Sequence, residues 1–200
     1  MINRGSEWRR WNLHMHSEYS REARTKMKIT EIFDCAVKNN ISMISVTDHS
    51  NFDALDEIWD IYQNVTCEQG NYSDLVDFLP GIELKTDKGK KGVHIISVFP
   101  KEIVVNRKTK QATKSVLYDN FCTKLGLSYS EIESNGDGDY AKGLLCSIVD
   151  FDKAVNLTHE LGGVVIIHGG DKHGSIENEM DHANSKKPTP EELYASLDIT

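Results

Sequence analysis

The sequence predicts an α/β fold in which strands and helices alternate around a mainly parallel sheet or barrel. Three observations carry that prediction. Short apolar, β-branched runs alternate with segments of helical hydrophobic period. Residues able to do chemistry fall at or near strand ends, as in folds whose strand termini gather on one rim. The chain has 200 residues, of which 38% are hydrophobic and 27% charged, the size and composition of one soluble domain.

Taken in order, "RRWNLHMH" alternates Trp11, Leu13 and Met15 against Asn12, His14 and His16, which is the period of a strand. A helix through "EIFDCAVKNN" is expected next, capped by Thr30, with Ile32, Phe33, Ala36 and Val37 on one face. "ISMISVT" is a buried strand ending at Asp48-His49, and "FDALDEIWDIYQNV" is an amphipathic helix showing Leu55, Ile58, Trp59 and Tyr62. "VDFLPGIEL" and "GVHIISVFP" each predict a strand, with a Gly- and Lys-rich turn between them. "SVLYDNFCTKLG" predicts a helix stopped by Gly126, and "SNGDGDY" a turn without the ligand spacing of an EF-hand. "DFDKAVNLTHELGG" is a helix and "VVIIH" a strand ending at His168. "TPEELYASL" opens like a helix, with Thr189 as cap, Pro190 at the first position and Glu192 at the third. The order strand, helix, strand implies right-handed crossovers and parallel pairing. His94 strains that scheme, because it begins its strand whereas His49, Glu83 and His168 lie at or near strand ends.

The net charge of −8 is unevenly spread: residues 1–114 carry 17 basic against 16 acidic side chains, residues 115–200 only 6 against 15. Basic runs such as "REARTKMK" and "NRKTKQATK" read as solvated surface or as a rim facing a polyanion, while the overall acidity argues against tight non-specific duplex binding. Cys35, Cys67, Cys122 and Cys146 form no C-x-x-C pair, so reduced thiols in a cytoplasmic protein are expected. No run approaches twenty apolar residues, and no membrane-spanning helix is expected.

In "WNLHMHSEYS" the two histidines are two apart, so a strand turns both imidazoles to one side. Alone, H-x-H carries little weight among eight histidines. In company with His49 after a buried strand, Glu83 after Pro-Gly, His94 in an apolar strand and His168 closing another, it points to a cation of the Zn²⁺, Mn²⁺ or Fe²⁺ kind, with a carboxylate able to bridge two ions. His159 in a helix and His182 in a polar stretch are expected to be structural or solvated.

As a set, "LHMHSEYS", "ISVTDHSN", "PGIELKT", "GVHIISVF" and "VVIIHGG" resemble the polymerase-and-histidinol-phosphatase (PHP) domain family, over about residues 8–170. More narrowly, "GSEWRRWNLHMH" is similar to PHP domains fused in front of SMC- or ABC-like ATPases. The resemblance implies a distorted seven-stranded β/α barrel holding two metal ions, or three, and hydrolysing phosphoesters. It makes His14 and His16 ligands of a first ion, Glu83 a bridge to a second completed by His94 and His168, and His49 a ligand of a third. Asp48 is expected to orient an imidazole or hydroxide, and Asp48, Glu83 and His168 to be the catalytic set. Arg21, Arg24 and Lys26 are guessed to hold substrate phosphates.

Two departures from the family pattern stand out. Glu22 occupies the place of a further histidine, either as an oxygen ligand or as surface. No strand followed by Asp-x-His occurs after residue 175; Asp171 and His173 either substitute for that pair, or the pair lies beyond residue 200 and the barrel is incomplete at its C-terminus. A single domain forming the N-terminal part of a longer protein is therefore expected. With neither G-x-S-x-G nor a Walker A sequence, the expected chemistry is attack by a metal-activated hydroxide on a phosphoester, with nucleic acid favoured as substrate and an ATPase domain, in cis or in trans, as partner. The rivals are an inactive metal-binding module of a larger assembly and a β/α-barrel amidohydrolase, for which the late catalytic aspartate is not evident.

Overall fold

The computed structural model describes residues 8–21, 27–105, 113–170 and 174–179. The first half follows the predicted alternation. Strand β1 (Arg10–Met15), helix α1 (Ile29–Lys38) and strand β2 (Ile41–Val46) form a parallel crossover unit, with Trp11 opposite Met43 and Met15 opposite Val46. Helix α1 begins one residue before the expected Thr30 cap, because the Glu31 carboxylate accepts the Lys28 N–H at 3.0 Å and closes the first turn there. Its buried face is Ile29, Ile32, Phe33 and Ala36. Helix α2 (Leu55–Asn64) buries Leu55, Ile58 and Ile61, then a two-residue hairpin, β3 (Thr66–Cys67) and β4 (Gly70–Asn71), and a single turn, α3 (Tyr72–Leu75), lead back to the sheet.

The one strand expected across "VDFLPGIEL" is two. β5 (Asp77–Phe78) pairs parallel with β2, and β6 (Gly81–Lys85) turns into a second sheet. Pro80 lies at the break, where a residue without an N–H cannot continue a ladder. β6 then pairs antiparallel with β7 (His94–Val98), and β7 antiparallel with β8 (Val164–Ile167). The expectation of a mainly parallel sheet is thus corrected for this half. The connection over 86–93 is too short for a crossover and can only make a hairpin. The antiparallel course also removes the strain over His94: the start of β7 lies on the same rim as the end of β6.

Between β7 and β8 runs a helical excursion: α4 (Ser115–Leu117), a π turn over Tyr118–Cys122, a 3-10 turn over Thr123–Leu125 stopped by Gly126, then α5 (Tyr129–Asn135), α6 (Tyr140–Cys146) and α7 (Phe151–Glu160). A final turn, α8, spans Ile176–Glu179. Asp150 caps α7 by accepting the Lys153 N–H at 2.7 Å. Phe52, Phe99 and Phe121 meet edge to face beneath this excursion, with ring centroids 5.0–6.5 Å apart.

The two three-stranded sheets, β1-β2-β5 and β6-β7-β8, are stitched by a parallel bridge between His49 and Glu83. Among the described residues the sheets do not close into a barrel: no ladder joins β1 to β8. Ile44, Ile82, Leu84 and Ile95 are fully buried in the core between sheet and helices. No helix among the described residues is long and apolar enough to cross a membrane.

Candidate metal centre

Every sequence-named histidine of the strand ends converges on one carboxylate. Glu83 is 2% exposed, on β6, and its Oε2 lies 2.9 Å from His16 Nε2, 3.2 Å from His14 Nε2 and 3.8 Å from His49 Nδ1. Its Oε1 lies 2.7 Å from His94 Nδ1 and 3.8 Å from His168 Nδ1. The period of β1 places His14 and His16 together, their Nε2 atoms 3.3 Å apart. Across the open side, His168 Nε2 approaches His14 Nδ1 to 3.1 Å. Two overlapping sets of donor atoms, His14–Glu83–His168 and His16–His49–Glu83, each lie within 4.8 Å of one another, and Glu83 belongs to both.

The electrostatics keep that carboxylate charged. Burial pushes the Glu83 carboxyl up, but hydrogen bonds from His14, His16 and His94, together with the charge of His49, outweigh it and hold the group well below the usual carboxylate range. An ionised carboxylate ringed by imidazole nitrogens is the donor chemistry of a borderline divalent cation, and a carboxylate with nitrogens on both oxygens is placed to bridge two. The residues present therefore fit the implied metal.

The backbone around the site is tied as tightly as the side chains. Ser50 N–H donates to Glu83 O at 2.9 Å and Glu83 N–H to Asp48 O at 3.1 Å, locking the end of β2 onto β6. Asp48, which the resemblance makes a residue orienting an imidazole or hydroxide, has each of its oxygens engaged by Ser17, through the backbone N–H at 2.7 Å and the hydroxyl at 2.6 Å, so its carboxylate also fastens the turn after β1 to the end of β2. Burial raises the Asp48 carboxyl above its ordinary range, and the Ser17 hydrogen bonds and the neighbouring His16 and His49 pull against that rise. His94 is covered from above: its N–H donates to Gly174 O at 2.8 Å, and a β-carbon at Gly174 would fall 2.5 Å from the imidazole ring.

Ser20 is a participant that sequence reasoning missed. Fully buried, it accepts the His49 N–H at 3.3 Å and sits 3.2 Å from His16 Nδ1, tying two of the ring imidazoles, which stack at 4.7 Å and 19°. A serine four residues after a histidine carries no sequence signal of its own. Arg21 follows directly, exposed and in the left-handed region at φ 61°, while His159 is exposed on α7. Glu22, Arg24, Lys26, Asp171, His173 and His182, like the helix start at Thr189, lie outside the described residues. A groove of about 320 Å³ between β1 and β8, lined by Trp11, Leu13, Ile96 and Ile166, ends on His14 and His168.

Among solved structures, an amidohydrolase from Chromobacterium violaceum with bound sulfate and no metal aligns at 13% identity and a TM-score of 0.47, over 79% of this chain and 66% of that one. A protein described as a metal-dependent phosphoesterase, from Bifidobacterium adolescentis, aligns at 14% identity and a TM-score of 0.49, over 95% of this chain and 74% of that one. No curated protein matches. The sequence profile of the PHP domain matches residues 12–190, a span that holds all six residues of the ring from His14 to His168. On that match, the chain belongs to the PHP domain family.

Proposed function

We propose that this chain is a metal-dependent hydrolase and, within that class, a phosphoesterase. One observation carries the proposal: Glu83 is shared by two sets of nitrogen donors, as a carboxylate bridging two cations must be. When bound, divalent cations supply Lewis-acid activation of water and of a phosphoryl group. The protein supplies the rest. His14, His16, His49 and His168 offer ring nitrogens towards the common centre, and Glu83 holds negative charge there. His94, at 2.7 Å from Oε1, fixes the rotation of that carboxylate. Ser17 and Asp48 hold the β1 and β2 termini together, so that His16 and His49 need no reorganisation when substrate arrives. The absence of a G-x-S-x-G serine fits direct attack by water rather than a covalent intermediate. We extend the proposal to nucleic acid as the favoured source of the phosphoester, on the resemblance of the opening segment to ATPase-fused PHP domains.

The test is to count bound transition metal per chain, then to follow hydrolysis of a generic phosphodiester, a phosphomonoester and a single-stranded oligonucleotide with added Mn²⁺. Two or more ions per chain are expected, with turnover reduced at least about a hundredfold by His14→Ala. Metal without turnover on any of the three would instead support a non-catalytic metal-binding module.

A further inference from the structure

The turn between β6 and β7 is held by a residue far along the chain. Glu179, the last residue of α8, is 3% exposed. Its Oε2 accepts the Lys91 N–H at 2.6 Å, and its backbone carbonyl accepts the Lys90 N–H at 2.9 Å. Gly89 leaves room for this contact: its φ is +82°, and a β-carbon there would fall 2.7 Å from Glu179 Cβ. A carboxylate is costly to bury unless it is hydrogen-bonded, so a buried glutamate spent on a backbone N–H of a surface turn calls for an explanation.

The other end of the same segment lies on the metal centre. Gly174 O accepts the His94 N–H at 2.8 Å, and only the missing side chain of Gly174 lets the chain pass so close to that imidazole. Two residues on, the Ile176 N–H donates to His168 O at 2.9 Å, and Ile176 itself is fully buried. The Glu179 N–H then closes the turn on Ser175 O at 3.1 Å. Residues 174–179 are therefore a strap, attached at His94, at His168 and, through Glu179, at the turn whose Lys91 precedes His94 by three positions. Ser17, Asp48 and Ser20 brace the His16–His49 side of the ring. The strap is the corresponding brace on the His94–His168 side.

We propose that Glu179 is a positioning residue of the metal centre: by seating its carboxylate on the β6–β7 turn it holds the strap against His94 and His168 and fixes the half of the ring that those two imidazoles supply. This rests on the metal-binding part of the functional proposal and not on phosphoester hydrolysis. Glu179→Ala removes the acceptor for the Lys91 N–H, and Glu179→Gln keeps an oxygen in its place.

The experiment uses the full chain, metal-free for amide hydrogen exchange and then titrated with Zn²⁺ against a chromophoric chelator. In the metal-free wild type, the Lys91 and His94 amides are expected to share one protection factor, since opening of the strap frees both. Glu179→Ala is expected to speed exchange at His94 at least about tenfold while leaving Ile44, in β2, within about twofold. It is also expected to weaken by about tenfold the ion held through His168, and to leave the ion of the His16–His49 pair within about threefold. Glu179→Gln should lie between Glu179→Ala and the wild type on both readouts. Unchanged affinities and unchanged His94 exchange in Glu179→Ala would overturn the assignment. Equal acceleration at His94 and Ile44 would overturn it too, as the mark of a contribution to overall stability alone. Independent exchange of Lys91 and His94 in the wild type would do so without any variant. A wild type that binds no metal would remove this assignment together with the functional proposal, whereas one that binds metal in the Glu179-dependent way but hydrolyses no phosphoester would fail the phosphoesterase reading and leave the strap standing.

Discussion

Ser20 shows how a residue without coordinating power can govern ones that have it. A neutral imidazole offers its Nε2 lone pair only when the proton sits on Nδ1, and the partner of Nδ1 decides this. The Ser20 hydroxyl stands 3.2 Å from His16 Nδ1 and has one lone pair engaged by the His49 N–H. Ser20→Ala is expected to leave the fold intact and to weaken metal binding by about tenfold. Competition against a chromophoric chelator would measure it, and nitrogen NMR of the His16 ring in metal-free protein would report the altered tautomer. Equal affinity and an unchanged ring spectrum would show that His16 orients itself. The six ring residues were legible in the sequence because each closes, opens or lies near the end of an apolar strand. Ser20 was not, since its meaning comes from a turn that folds back, which no local pattern encodes.

Elements were legible to the extent that their information is local. Helices α1, α2 and α7 and strands β1, β2, β7 and β8 follow from periodicity and caps. Strand direction does not, and the parallel scheme failed where a hairpin replaced a crossover. The hinge between the two sheets is a second case. Gly81, first residue of β6, faces β2 so closely that a β-carbon would fall 2.2 Å from Ser45 Oγ and 2.7 Å from Thr47 Cγ2. Gly81→Ala must push the strands apart just where His49 bridges to Glu83. A destabilisation of about 1–3 kcal/mol in urea unfolding is expected, with weakened metal binding beside it. A variant as stable as the wild type would mean that Ser45 can turn away without cost.

For the molecule as a whole, the ring couples stability to pH. Glu83 keeps its charge in the folded chain far below the ordinary carboxyl value of 4.5, whereas the unfolded chain takes up a proton there. The stability this group contributes is therefore complete above that pH and is lost progressively as the pH falls below it. In chelator-treated protein, the melting temperature is expected to fall as the pH drops below about 4.5, and Glu83→Gln to flatten that fall. Parallel slopes for the two proteins would remove Glu83 as the source.

His14 and His168 meet at 3.1 Å although 154 positions separate them along the chain. A ribosome releases the first of these imidazoles long before the last exists, and every closed arrangement of the ring must wait for β8 to find its place beside β7. Contacts of such sequence separation form late and slowly. Cation affinity is consequently expected to certify finished folding: a nascent chain that has not reached residue 168 lacks one side of the ring, and retention of metal would mark the molecules in which His14 and His168 have met.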